Sequence, residues 1–365
     1  MDSRGIIRSN RILVIAMRFL GDVLLTTALI RSIRLAYPQA QVDVLVFGNT
    51  AAMLEGNPDI DRIVTTPNKP HWTDYCKLLL NLFRHYDLAV TTQTGDRPFL
   101  YALLAAPVRV GVVPAKNATG WWKRFFMQRW TEFDDVNTHT VLQHLKLADL
   151  LAIPRSYELV PPQIGAAGRL AERFEFVTAN SGYAVLHPHP QWTYKRWTVA
   201  GWVEIGHYLN SLGFTVVLSG GPAEEEVAYV ADIAAKLPPG TVNLAGQVSL
   251  AELAYIIGHA ELFIGPDTGI THMAAATGVA VITLYGPTNP VKWAPWPKGY
   301  RRNSNPFQKV GCQCINNINL IQGEGGCVPC HLEGCDRHRQ SRSRCLDELL
   351  PERIKTAVRQ LLVND

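Results

Sequence analysis

RILVIAMRFLGDVLLTTALIRSIRLAYP, residues 11–38, decides the fold by its change of period. Ile12 to Met17 form a short apolar run of the kind that makes a buried strand. After Gly21 and Asp22, apolar residues recur at helical spacing until Tyr37-Pro38 ends the segment. A strand feeding a helix through a tight turn is half of a βαβ unit, and the same rhythm continues outward. QVDVLVFG (41–48), RIVTTP (62–67), DLAVTTQ (87–93) and VRVGVVP (108–114) read as further strands. A second series starts at YAVLH (183–187) and continues through FTVVLS (214–219), VNLAG (242–246), ELFIGP (261–266) and VAVITLYG (279–286). Strands alternating with helical stretches predict parallel sheets. The class is therefore α/β, with two Rossmann-like domains facing each other across a cleft that holds the ligands. The join falls in the Pro- and Gly-bearing LVPPQIGAAG (159–168), giving domains over 1–160 and 161–346. The second domain carries a cysteine-rich tail (312–345), and the amphipathic DELLPERIKTAVRQLL opens a terminal helix over 347–365.

A chain of 365 residues suits two domains, and 47% hydrophobic with 18% charged residues supports packed cores rather than disorder. A net charge of +4 gives no global field for nucleic acid, which is not an expected partner. The first apolar run is interrupted by Arg18 and Asp22, so it reads as a strand rather than a signal peptide. No stretch reaches the ~18 apolar residues of a spanning helix, and a cytoplasmic protein is expected.

Chemistry is expected where strands end. Asp22, in the turn after the first strand, either caps the following helix or acts as a base toward an acceptor hydroxyl. Arg18 in the same turn is a candidate acceptor contact. Neither a Gly-x-Gly-x-x-Gly nor a Walker A signature occurs there, which weakens dinucleotide and NTPase readings. GPDTGITHMAAATG (265–278) is a strand end running into a helix that starts near Thr268 or Gly269, and unpaired N–H groups at such a start suit a diphosphate. Thr268, Gly269 and Ile270 would supply donors, Asp267 would cap the helix or take a ribose hydroxyl, and His272 would donate to phosphate or merely pack. In LHPHPQWTYKRWTVAGW (186–202), Lys195 and Arg196 suit a leaving diphosphate, Trp192 and Trp197 read as packing, and nothing completes a metal set around His187 and His189. SGGPAEEE (219–226) offers one of Glu224 to Glu226, with Glu224 taken as the candidate, to a ribose; the alternative is a solvated helix start. Asp59-Ile60-Asp61 matches the D-x-D pattern of metal-dependent sugar transferases, but its NPDIDRIV context reads as a turn.

WWKRFFMQRW (121–130) mixes aromatics with Lys123, Arg124 and Arg129, which fits contact with an anionic acceptor or an inner-membrane surface, or else a partly buried helix. Six of the seven cysteines crowd into residues 312–345 as C-x-C, C-x-x-C and two single positions. Cys327, Cys330, Cys335 and Cys345 are candidates for a structural zinc; free thiols and disulfides are the alternatives.

Taken together, four segments resemble the glycosyltransferase family 9 heptosyltransferases of lipopolysaccharide core synthesis. They are the 11–38 stretch with its continuation QAQVDVL, YKRWTVAGWVEIGHYL (194–209), VVLSGGPAEEE (216–226), and LFIGPDTGITHMAAATGVAVITLYGPTNPVKWAPW (262–296). Within the family the chain looks most like the heptosyltransferase III branch. The resemblance implies a GT-B fold and an inverting transfer of heptose from ADP-heptose to the lipopolysaccharide core, with no cofactor required for catalysis. It implies Asp22 as catalytic base, Lys195 on the diphosphate, and Asp267, Thr268, Gly269 and His272 on the ADP-sugar. The rival readings are a GT-B transferase or epimerase using another nucleotide sugar, and a non-catalytic scaffold for envelope assembly.

Overall fold

A computed structural model of the chain describes residues 9–363 except 117, 166, 167 and 178–181. Residues 1–8, 364, 365 and part of the expected join at 159–168 therefore lie outside the described residues. Two compact units are present: Met1–Pro162 with Arg301–Asn305, and Gln163–Tyr300 with Pro306–Asp365. Arg301–Asn305, which the sequence pattern put in the second domain, packs with the first. His139 N donates to Asn305 Oδ1 at 2.9 Å, and Asn305 Nδ2 to Asn137 O at 2.7 Å.

The first unit contains β1 (Arg11–Ile15), α1 (Leu20–Ala36), β2 (Gln41–Phe47), β3 (Arg62–Thr66), α2 (Trp72–Leu82), β4 (Leu88–Thr91), α3 (Asp96–Ala105), β5 (Val108–Val113), β6 (Arg129–Glu132) and α4 (Thr140–Leu151). Its sheet runs β3-β2-β1-β4-β5-β6 with every pair parallel. Val14, Leu45 and Val90 are fully buried because helices cover both faces, which explains why these strands read as continuous apolar runs. Order reverses between β1 and β4. Such a switch point opens a crevice at the strand carboxyl ends.

The second unit contains α5 (Gly168–Arg173), β7 (Tyr183–Leu186), α6 (Val199–Ser211), β8 (Thr215–Leu218), α7 (Glu224–Ala234), β9 (Val242–Asn243), α8 (Leu250–Gly258), β10 (Leu262–Pro266), α9 (Gly269–Thr277), β11 (Ala280–Tyr285), α10 (Pro290–Trp293), β12 (Gln313–Ile315), β13 (Ile318–Gln322), α11 (Arg344–Asp347) and α12 (Pro351–Val363). The sheet order is β12-β13-β11-β10-β7-β8-β9, parallel except for the β12–β13 hairpin. Its switch point lies between β7 and β10. Trp197 and Trp202 are buried in this unit's core, in edge contact at 5.2 Å, as packing residues rather than stacking platforms. Trp197 Nε1 donates to Leu349 O at 2.9 Å, and Ile354 and Val358 of α12 join the same core. The terminal helix is thus part of the second unit rather than a separate element. No described helix is long and apolar enough to cross a membrane.

Candidate active site

At the switch point of the second unit, the loops after β7 and β10 meet. Lys195, in a 3₁₀ turn over Thr193–Lys195, places Nζ 2.5 Å from Asp267 Oδ2. Burial alone would raise the Asp267 carboxyl, but the charge and hydrogen bond of Lys195, with His272 and Thr288, hold it below its ordinary value. The Tyr285 hydroxyl, at the end of β11, lies 3.3 Å from Asp267 Oδ1 and donates to Trp293 O at 2.6 Å. Burial and Asp267 raise Tyr285 well above an ordinary phenol, so it remains a neutral donor.

The α9 cap is Thr268, whose Oγ1 accepts from Thr271 N at 3.3 Å. Asp267 is one residue too early to cap and turns to Lys195 instead. Thr271 is fixed in turn by donating to Pro266 O at 2.5 Å. The N–H groups of Gly269 and Ile270 lie in the first turn, where no intrahelical acceptor exists, beside the positive end of the helix dipole. His272 is buried within the same turn, and its Nδ1 has no protein partner. Burial, opposed by Asp267 and reinforced by Lys195, lowers its pKa to about 4, so the ring is neutral at pH 7. A buried, unsatisfied ring nitrogen beside unpaired helix N–H groups marks a polar ligand position.

Arg196 faces away from this pair. It contacts His189 and donates to Glu225 Oε1 at 2.6 Å. His189 is held near pKa 4 by burial and by Arg196, and His187, at about 3, lies 3.1 Å from Ser219 Oγ. Glu224, the ribose candidate of the sequence reading, is solvent-exposed at the first position of α7. Glu226 turns inward instead, its pKa raised by burial and tempered by the backbone of Gly221. A Cβ on Gly221 would come within 2.8 Å of Glu226 Oε2, so glycine is what admits the carboxylate.

In the first unit, Asp22 is the third residue of α1, whose cap position is Phe19 without a side-chain bond. Asp22 is thus a first-turn residue rather than the N-cap itself, and a carboxylate there also suits the positive end of the helix dipole. Arg18 Nε stands 3.4 Å from Asp22 Oδ1, and Thr26 Oγ1 donates to Asp22 O at 2.9 Å, tying the first turn. Asp59 and Asp61 are taken up by Arg31 and Arg34 at 3.1 and 2.5 Å.

The 121–130 segment is a 3₁₀ turn (Trp121–Phe126) followed by β6, not a helix. Its cations point inward. Lys123 is 4% exposed and donates to Thr94 O and Asp96 Oδ1, both at 2.6 Å. Arg124 binds Trp121 O at 2.8 Å and lies over the Trp130 ring, and Arg129 donates to Leu150 O at 2.5 Å. What the segment exposes is aromatic: Trp121, Trp122, Phe125, Phe126 and Trp130. A basic face formed by these three side chains is corrected accordingly; charged heads were drawn in by carbonyls and carboxylates that the sequence pattern does not reveal.

The candidate zinc cysteines lie near one another without forming a ligand set among the described residues. Burial and the neighbouring Cys330, Cys327 and Cys335 push the Cys345 thiol up to about 11, so the four sulfurs are within electrostatic reach. Yet among the described residues no three His, Cys, Asp or Glu side chains are grouped so as to hold a metal ion. Cys327 and Cys335 are exposed, and Cys335 Sγ accepts from Arg344 N at 3.4 Å. Spacing makes a chelate only when the chain brings sulfurs to ~2.3 Å from one ion.

Sequence reasoning singled out neither Tyr285 nor Asp96, and it held Glu226 only as one of the Glu224–Glu226 group. Asp96 had a signal: Gly95-Asp96 follows β4 as Gly21-Asp22 follows β1.

Comparison with known proteins supplies what geometry alone does not. The family profile described as glycosyltransferase family 9 (heptosyltransferase) matches residues 77–320. The chain is 30% identical over 294 residues to lipopolysaccharide heptosyltransferase 3 of Escherichia coli, covering 77% of this chain and 84% of that one. Among solved structures, a glycosyltransferase family 9 protein of Veillonella parvula superposes with TM-score 0.76 at 20% identity, covering 98% of each chain. E. coli heptosyltransferase WaaC with ADP superposes with TM-score 0.69 at 20% identity, over 96% of this chain and 99% of that one. At such identities the two structures speak for the fold, which is GT-B.

Proposed function

This chain belongs to glycosyltransferase family 9, and from that premise we propose that it transfers heptose from ADP-L-glycero-D-manno-heptose to the lipopolysaccharide inner core with inversion. It is a glycosyltransferase. The identity to heptosyltransferase 3 favours that branch of the family. The observation that carries the donor assignment is the Lys195–Asp267 pair at the head of α9, with His272 unsatisfied beside it. Lys195 and the first N–H groups of α9 suit a diphosphate, and Glu226, rather than Glu224, suits the ribose.

In the proposed step Asp22 accepts the proton of an acceptor hydroxyl as its oxygen bonds to the anomeric carbon. The bond from that carbon to the diphosphate breaks on the opposite face, and ADP leaves with the electron pair. Charge grows on the leaving oxygen, so a fixed ammonium and helix dipole are worth more there than in the ground state. Arg18, beside Asp22, is assigned to the acceptor. No residue in this step calls for a cofactor.

Two further assignments accompany this reading. Peripheral attachment to the inner membrane, from the cytoplasmic side, is assigned to the exposed Trp121 and Phe125, since Trp and Phe suit a headgroup layer. A structural zinc is assigned to Cys327, Cys330, Cys335 and Cys345, supported by their C-x-x-C and following spacing and by the nearness of the other three sulfurs to Cys345, and requiring the four to close in on the ion. Zinc would then supply folding energy to the tail and nothing to the reaction. The function is tested by incubating the protein with ADP-heptose and truncated core acceptors and reading product masses. One added heptose on a defined acceptor is expected. Transfer of another sugar, or preference for UDP over ADP in competition, would overturn it.

A further inference from the structure

A cavity of ≈ 830 Å³ opens in the first unit beside the 3₁₀ turn, within the ~300–1,000 Å³ range of small-molecule sites. Its walls come from the segments after β4 (Thr94 to Asp96), after β5, and from the turn itself. It therefore lies at the strand carboxyl ends, the edge of the sheet at which β1 delivers Asp22, since β4 pairs directly with β1. We propose that this cavity is a saccharide subsite for the acceptor, with Trp122 as the stacking surface and Asp96 as the hydroxyl acceptor. The proposal rests on the transferase reading above and deepens it.

Three features define the ligand's chemistry. Trp122 is 43% exposed and is braced edge-on by Phe99 at 5.4 Å and Phe126 at 5.9 Å. A braced, half-open indole gives the C–H face of a sugar ring a rigid apolar partner. Asp96 extends an 84% exposed carboxylate whose Oδ1 is pinned by Lys123 Nζ at 2.6 Å. The same ammonium donates to Thr94 O at 2.6 Å and lies 5.8 Å above the Phe99 ring, so Lys123 is a positioning residue spent on the wall itself. A carboxylate has about four lone-pair sites, and the remaining ones can accept from neighbouring hydroxyls. Charge then selects among ligands. Lys123 is the only cation among the described lining residues and is already neutralised by Asp96. An anion would find no unpaired cation in this lining, whereas an uncharged polyol with an apolar face meets both an aromatic surface and a carboxylate acceptor.

The test uses the full chain, ADP-heptose and a deacylated core oligosaccharide ending in heptose, with Trp122→Ala, Trp122→Phe and Asp96→Asn compared to the parent protein. The subsite predicts that Trp122→Ala raises acceptor KM by ~10-fold or more while donor KM is unchanged, the pattern of lost uniform binding. Trp122→Phe should recover most of the loss, which separates a missing ring from a damaged fold. Asp96→Asn should raise acceptor KM in the same direction. Oligosaccharide titration followed by tryptophan fluorescence reads the subsite without turnover. A parent protein that binds the oligosaccharide through Trp122 yet transfers nothing would sink the transferase reading and keep the subsite. Turnover with acceptor KM within twofold of the parent in both Trp122→Ala and Asp96→Asn would overturn the subsite. So would displacement of the oligosaccharide by inorganic phosphate at lower concentration than by free heptose.

Discussion

Lys195→Ala should cost stability as well as donor binding, because it strips a buried carboxylate of its counter-charge. Asp267 is 6% exposed and Lys195 19%, so the pair is largely withdrawn from water. Removing one partner of a buried ion pair costs ~3–5 kcal/mol, and the partial exposure of Lys195 points to the lower end, ~3 kcal/mol. The second unit is a domain for which each kcal/mol moves Tm by ~2–4 °C, so Tm should fall by ~6–12 °C. Asp267→Asn combined with Lys195→Met removes both charges and should restore most of that loss without restoring ADP affinity. The pH dependence has a definite sign. In the parent protein Asp267 sits below its ordinary value, so its contribution is present above the unfolded pKa of ~3.9 and is lost as pH falls through the folded value. Without Lys195, burial dominates and the folded pKa rises above the unfolded one. The variant then gains relative stability on acidification, and its deficit should shrink from pH 7 toward pH 4. Thermal melts at both pH values, with ADP calorimetry on each variant, read all of this. A Lys195→Ala protein melting within 2 °C of the parent at pH 7, or a double variant no more stable than the single one, would refute the buried pair.

The 121–130 segment and the cysteine tail give two further tests. Trp121→Ser with Phe125→Ser should weaken sedimentation with vesicles containing anionic lipid more than replacing Arg124 and Arg129 by Gln does, since the aromatics are exposed and the guanidinium groups are bonded internally. Equal or reversed losses would return the aromatics to ordinary surface. Protein purified without chelator should carry one zinc per chain, and mild chelation should lower Tm before it lowers turnover per folded molecule. Metal near zero with the tail thiols all open to alkylation would remove zinc from the account.

The parallel sheets were legible because their strands are buried on both faces and leave unbroken apolar runs. β6 was not, since Arg129–Glu132 is a short, half-exposed edge strand among aromatics. The β12–β13 hairpin was lost among polar residues, though it carried a signal. Ile315 pairs with Ile318 across a two-residue turn at Asn316-Asn317, and Asn316 takes φ 51°, the left-handed geometry such turns require. At the site, Asp22 and the α9 start could be found because strand ends have local signatures. The meeting of Lys195 with Asp267 could not, because it depends on β7 and β10 being neighbours, a fact of sheet order. The inward turn of Lys123 was equally hidden, as its partners Thr94 and Asp96 lie on another loop.

Asp22→Asn tests most directly the proposal that Asp22 of the first unit is the base while the second unit binds ADP-heptose. The substitution keeps the shape of the side chain and removes its basicity. ADP affinity by calorimetry should match the parent protein, while kcat with ADP-heptose and a verified core acceptor should fall by ~10²–10⁴. Near-normal turnover by Asp22→Asn on that acceptor would contradict the claim.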